Sequence, residues 1–421
     1  MGANSAFVLE AFGVENGDPG FDGGNRFTVV FHLAQCRFSP NPLHPTVPFT
    51  LEHTDTHTAA RSATLSLPHG DVRTPVFMPV GTQGSVKTLH PGELDLLGAQ
   101  IILGNTYHLW LRPGHELIRD LGGLHGFSTW QKPILTDSGG FQVWSLAKLR
   151  KITEEGVRFN NHLDGAKMLL TPELSMEIQA ALGSDIAMLF DECPPYPCDE
   201  KYAAESLALT TRWARRCKEW ATANDPQTGG GRQHHFGIVQ GSTYADLREQ
   251  SARGLVELGF DGYAIGGVSV GEPEEEMFRA IDNAVPFLPH HKPRYAMGLG
   301  TPPQILEMIS RGVDMFDCVM PTRMARHGVA FTLDGTVQIK NQIHARDPRP
   351  ICESAHPHVA GFSRAYLRHL FHAGEILALR LLSFHNLHFY MRLTADARDA
   401  IRSGTFAAFK ESFIQRYTEK P

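Results

Sequence analysis

The 421-residue chain reads as an α/β protein folded as a (β/α)8 (TIM) barrel, with an inserted β-hairpin and a C-terminal helical subdomain. Three observations predict this. Eight short apolar, β-branched runs alternate with amphipathic stretches, the pattern of parallel strands joined by crossover helices. Most of the runs end in small polar residues, where the loops of a barrel mouth begin. The length also exceeds the roughly 250 residues that such a barrel needs.

Residues 1–50 are rich in Gly, Asn and Pro and hold one apolar run, Phe27–Ala34, so they read as a poorly ordered extension without an assignable role. The strands follow as Val76–Thr82, Gln100–Thr106, Ile134–Gly139, Asp185–Glu192, His235–Gly241, Gly262–Ser269, Arg294–Gly300 and Met315–Pro321. Between most of them lie helical patterns at Pro91–Leu97, Glu116–Leu121, Pro172–Leu182, Lys201–Ala221, Tyr244–Leu258, Glu274–Phe287 and Pro302–Gly312. Pro172, Pro302 and Glu274–Glu276 suit first helical turns, where a missing N–H or an acidic side chain meets the positive helix end. Residues 156–171 break the rhythm: Asp164-Gly165 between extended segments predicts a hairpin beside the third strand. Gln227–Gly231 reads as a flexible loop tip, Arg346–Phe362 as a connector, and Ser363–Leu382 as a long helix.

No run of about 18 apolar residues occurs and no basic-then-apolar leader opens the chain, which predicts a soluble, cytoplasmic protein without a membrane span. The six cysteines are scattered without a Cys-x-x-Cys pair, so free thiols fit better than disulfides. The formal net charge of −6 hides an asymmetry, since residues 321–421 carry 14 Lys/Arg against eight Asp/Glu. That quarter is the place for a polyanion, although basic residues also serve simply to solvate helices.

Read as chemistry, the strand ends supply Asn105-Thr106-Tyr107, Asp137-Ser138-Gly139-Gly140, Asp191-Glu192-Cys193, Gln240-Gly241-Ser242, Gly266-Gly267 and Asp317. Asp and Gln side chains with glycine-exposed amides can bond the edges of a purine-like base. A carboxylate facing an anomeric carbon can act as nucleophile while a second manages protons. Each residue also has a plainer use, because Asp at a strand end caps helices and paired glycines make tight turns.

Taken together, Gly104-Asn-Thr-Tyr-His-Leu109, Asp137-Ser-Gly-Gly-Phe-Gln142, Phe190-Asp-Glu-Cys193, Gly237-Ile-Val-Gln-Gly241, Gly266-Gly-Val-Ser-Val-Gly-Glu272, Met297-Gly-Leu-Gly300, Asp314–Arg323 and His385-Asn-Leu387 resemble the bacterial form of the tRNA-guanine transglycosylases, or queuine tRNA-ribosyltransferases, over residues 55–415. The resemblance implies exchange of guanine at the wobble position (34) of GUN-anticodon tRNAs (Asp, Asn, His, Tyr) for 7-aminomethyl-7-deazaguanine in queuosine biosynthesis. Asp317 would be the nucleophile of a covalent ribose intermediate and Asp137 the proton acceptor. Ser138, Gly139, Gly140, Phe141, Asp191, Gln240, Gly267, Val268, Met297 and Asn105 would hold the base. Gly298, Gly300, Gln304, Thr322, Arg323 and Arg326 would meet RNA. A homodimer is implied as well. Cys193 and Val270 resemble the bacterial pocket, while Ser269 echoes relatives that use queuine, so queuine remains an alternative substrate, and a non-catalytic tRNA-binding member an alternative role.

The family's zinc pattern, Cys-x-Cys-x-x-Cys and a later His, falls here on Ser354, His356, Val359 and His385. Cys352, His356, His358 and His385 are the candidates for a replacement set, the alternative being loss of a structural zinc. The domain division expected is 1–50 extension, 51–340 catalytic barrel, 341–390 degenerate zinc-type subdomain and 391–421 C-terminal helical segment.

Overall fold

The computed structural model describes residues 49–146 and 150–419. The extension expected at 1–50 lies almost wholly outside the described residues. Residues Val47–Pro421 form one compact unit. Its centre is a closed parallel barrel whose strands are Val76–Met78 continued by Val80–Gly81, Ile102–Gly104, Ile134–Thr136, Ile186–Met188, His234–Val239, Gly262–Ile265, Arg294–Ala296 and Met315–Asp317. The first strand closes the ring by pairing on both sides, Asp317↔Met78 on one edge and Gly81↔Gly104 on the other. All eight expected strands are present, most of them shorter than expected. Their residues are buried on both faces, which is why they read as continuous apolar runs rather than alternating ones.

The expected strands overrun because three helices begin at once: Thr106–Leu111 after the second strand, Gly140–Leu146 after the third and Met320–Arg326 after the eighth. Asn105 caps the first of these by accepting from His108 N. Elsewhere caps match the sequence signals: Thr171 before Pro172–Leu182, Asp199 before Glu200–Asn224, and a reciprocal Thr301/Gln304 capping box before Pro302–Ser310.

Two three-stranded antiparallel sheets decorate the barrel. One, Phe49–Thr54, Arg61–Leu67 and Gly70–Thr74, has no counterpart in the sequence reading. Its first strand exposes all residues but Phe49, so no alternating apolar signal marks it. Arg61 anchors the sheet to the barrel by a bidentate fork on buried Asp314, 2.9 and 2.6 Å, and two carbonyl bonds. The other contains the expected hairpin, Val157–Asn160 with Lys167–Leu170, plus a third strand, Arg150–Ile152. Gln227–Gly231 is a two-residue hairpin turning on Gly229-Gly230, both at positive φ, rather than an open loop tip.

Past a Val329–Thr332/Gly335–Gln338 hairpin come helices Pro357–Ala360, Arg364–His372, Ile376–Arg402 and Phe406–Thr418. The helix expected at Ser363–Leu382 breaks at Gly374, φ +75°. Ile376–Arg402 then runs unbroken through 390/391, so the expected boundary there is not a division of the chain. This helix is bolted to the barrel: Tyr390 Oη donates to Gly300 O, Asn386 bridges Pro321 O, Val329 O and Phe331 N, and Arg398 reaches Pro75 O. No helix among the described residues is long and apolar enough to cross a membrane.

Candidate active site

The carboxyl ends of the third, fourth, fifth, sixth and eighth strands bring Asp137, Asp191, Gln240, Gly267 and Asp317 to the same end of the barrel. Asp137 sits just past Ile134–Thr136, buried, with one carboxylate oxygen accepting from Thr106 N at 3.0 Å and Gly139 N at 3.1 Å. Its other oxygen accepts from the Asn105 amide. Burial pushes the Asp137 carboxyl up to about 7, opposed by those backbone amides and reinforced by the negative charges of Asp317 and Asp191. The charge of Asp317, 180 residues away in the chain, thus reaches Asp137.

Asp317 ends the eighth strand. Its Oδ1 accepts from Tyr295 Oη at 2.5 Å and from Gly298 N at 2.8 Å, and its Oδ2 has no hydrogen bond among the described residues. Burial raises its carboxyl, while the tyrosine and the amide favour the ionised form.

Asp191 accepts from Gln240 Nε2 at 2.7 Å and from Ser138 Oγ at 3.2 Å, and burial lifts it to about 6. Gln240 Oε1 is buried without a partner among the described residues, an acceptor left for a ligand N–H. The two glycines nearest these groups are sterically required. A Cβ on Gly267 (φ +60°) would lie 2.5 Å from Gln240 Oε1, and one on Gly140 would lie 2.8 Å from Asp191 O. Val268 is buried beside them, Met297 is half-buried, and Phe141 stands exposed at the first turn of Gly140–Leu146. Cys193, its thiol pushed up to about 12 by burial, lies near Asp191 and Gly267.

Three supporting groups were given no role by the sequence reading. Tyr295 is one. Arg248, fully buried inside Ala245–Leu258, donates to the carbonyls of Ser242, Val239, Gly266 and Gly267, and so holds the glycine loop from behind. Glu272 accepts from the backbone N–H of Ser269 and Val270, fixing the next turn. A lone arginine in a helix pattern looks like a solvated charge, so only its burial reveals it.

Of the residues expected to meet RNA, Gly298 is exposed beside Asp317, and Arg323 and Arg326 lie on Met320–Arg326 with no ion pair among the described residues. Gly300 and Thr322 are buried, and Gln304 is engaged in its capping box and with Glu274. Among the metal candidates, His385 is buried with Nε2 on Phe331 O, Cys352 is half-buried, and His356 stacks on exposed His358. Val359 is fully buried and Ser354 is exposed, so the remaining family positions cannot supply a thiolate.

The family model for queuine tRNA-ribosyltransferase matches residues 55–419. A queuine tRNA-ribosyltransferase of Pelotomaculum thermopropionicum is 54% identical over 372 residues, covering 88% of this chain and 99% of its own. One of Halothermothrix orenii is 51% identical over 375 residues, 89% and 99% respectively. One of Methylobacillus flagellatus is 55% identical over 358 residues, 85% and 95%.

Proposed function

The chain belongs to the queuine tRNA-ribosyltransferase family, and from that premise we propose that it exchanges guanine at position 34 of GUN-anticodon tRNAs for 7-aminomethyl-7-deazaguanine by double displacement. The enzyme is a pentosyltransferase. The observation that carries the mechanism is the division of labour between its two aspartates: Asp317 offers one unbonded oxygen, and Asp137 is held near neutrality.

In the first half, Asp317 Oδ2 forms a bond to ribose C1′ as the bond from C1′ to guanine N9 breaks, and the departing guanine anion takes a proton from protonated Asp137. Asp137, with its pKa of about 7, is then ionised and accepts the proton released by the incoming base. In the second half the deprotonated base attacks C1′, the ester to Asp317 breaks, and configuration is retained. Asp191 and the orphan oxygen of Gln240 address the base edge, the Gly267 backbone closes that edge, and Phe141 and Met297 lie on its faces. Arg323 and Arg326 meet the neighbouring phosphates. A structural zinc, where bound, would cross-link the C-terminal subdomain through donors on Cys352 and its neighbouring histidines. A homodimer belongs to the same reading, and sedimentation tests it.

The aminomethyl base is favoured over queuine because Cys193 and Val270 stand beside the glycine loop, where a bulkier 7-substituent must pass. Ser269 supports queuine as the second reading. The experiment is incorporation of labelled guanine into unmodified tRNA bearing a GUN anticodon, chased with either base. Label entering with the wild type and not with Asp317→Ala supports the mechanism. No label with tRNA still bound overturns it in favour of a non-catalytic member.

A further inference from the structure

Arg294 opens the seventh strand and is 3% exposed. Its Nη2 donates to Leu288 O at 2.9 Å and its Nη1 to Gly312 O at 3.3 Å. Its Nε is buried and has no hydrogen-bond partner among the described residues. Burial pushes the guanidinium down to about 10, and the nearby charge of Arg61 adds to the shift. A buried cation bonded only to neutral carbonyls is destabilising, and an anion beside it relieves the cost.

The ion pairs around Arg294 leave its charge unmatched. Arg61 forks onto Asp314, whose Oδ2 also accepts from the Arg294 backbone N–H. Arg311 meets Asp282 at 3.0 Å and Glu307 at 2.6 Å, and Lys410 reaches the other oxygen of Glu307 at 2.9 Å. Three cations thus share three carboxylates, and Arg294 is the fourth cation.

Arg294 lines a cavity of about 410 Å³ with His290, Arg311, Ser310 and Asp282. This cavity lies at the amino-terminal ends of the seventh and eighth strands, the opposite end of the barrel from Asp317. Arg311 uses Nε and Nη1 in its pairs, and its Nη2 has no hydrogen bond among the described residues. The His290 ring is exposed and makes none among them either. Ser310 Oγ already donates to Glu307 O. The walls therefore offer N–H donors from three side chains, against one carboxylate that Arg311 already holds.

We propose that this cavity binds a small oxyanion, inorganic phosphate or a phosphate monoester, held chiefly by Arg294 and Arg311. Planar guanidinium groups supply both charge and directed N–H donors, the chemistry that recognises phosphate oxygens. The anion is not a reactant. It neutralises Arg294 and ties the strand that carries Tyr295 to the segment that leads into the strand of Asp317.

The test is titration of the full chain with inorganic phosphate and, separately, with ribose 5-phosphate at constant ionic strength, read by calorimetry and by the thermal unfolding midpoint. Expected are a single saturable site and a midpoint that rises with ligand. Tighter binding of the monoester identifies an organic phosphate as the occupant, and tighter binding of inorganic phosphate identifies the free ion. Arg294→Gln keeps an N–H for the Leu288 carbonyl and should weaken binding by about tenfold or more. Ala59→Glu, on the exposed rim, supplies a carboxylate from the chain itself and should abolish binding, which keeps the test decisive should Arg294→Gln fail to fold. Arg323→Ala with Arg326→Ala should bind as the wild type does. Wild-type protein without saturable binding of either probe overturns the proposal. So does binding that survives Ala59→Glu, or binding lost in the Arg323/Arg326 double variant, which would place the anion at the barrel mouth.

Discussion

At Asp317, the proposed nucleophile, burial raises the carboxyl while the Tyr295 hydroxyl and the Gly298 amide favour its ionised form. Tyr295 donates to the charged carboxylate, so Tyr295→Phe removes a hydrogen bond to a charged group, worth about 1.5–3 kcal/mol in such settings. The folded-state pKa of Asp317 then rises, the ionised fraction falls at acid pH, and the acid limb of kcat/KM should move up by about one pH unit. A pH profile unchanged from wild type would show that the tyrosine only fills space. Asn105 plays the matching part for Asp137. Asn105→Ser keeps an oxygen for the His108 N-cap but removes the amide donor to the carboxylate. The pKa of about 7 should climb further, and activity lost at pH 7 should return at higher pH. Loss that persists at all pH values would mean that the amide does more than tune a proton.

At the scale of elements, the glycine loop after the sixth strand depends on a helix that never touches the base. Arg248→Met leaves the carbonyls of Gly266 and Gly267 without their donor and should cost about 2–3 kcal/mol of stability. The sharper readout is kinetic: KM for the free base should rise at least tenfold, because the Gly267 edge loses its support. A fall in kcat with KM unchanged would instead place the arginine in the chemical step. These elements also show what was legible. The eight strands announce themselves because burial on both faces demands unbroken apolar runs. The helices at Thr106, Gly140 and Met320 do not, because their first turns are the same small polar residues that serve the site, and periodicity has no room to develop.

For the whole molecule, the barrel is held to its flanking layers by a few buried polar ties. Arg61–Asp314 is the most enclosed, both side chains at or below 2% exposure. Asp314→Asn leaves the guanidinium buried without its counter-charge, and a loss of about 3–5 kcal/mol is expected, read as a lower unfolding midpoint with activity per folded molecule unchanged. The basic C-terminal quarter makes a prediction of a different kind. Arg323→Ala with Arg326→Ala should weaken tRNA binding uniformly across substrates and flatten its dependence on salt by about one unit of slope for each phosphate left without a cation. A selective loss for one tRNA would mean that these arginines read bases.

The sequence by itself determined the barrel, its hairpin insertion, the family and which polar residues stand at the strand ends. Those features are written locally, in apolar runs and the polar residues that stop them. Only the tertiary structure decided which groups serve the aspartates from behind. Tyr295 reads as a strand core residue and Arg248 as a solvated helix charge. Their roles arise from what packs against them, and a hydrogen bond from Tyr295 to a residue 22 positions away, or from Arg248 to carbonyls up to 19 away, leaves no mark in either segment alone.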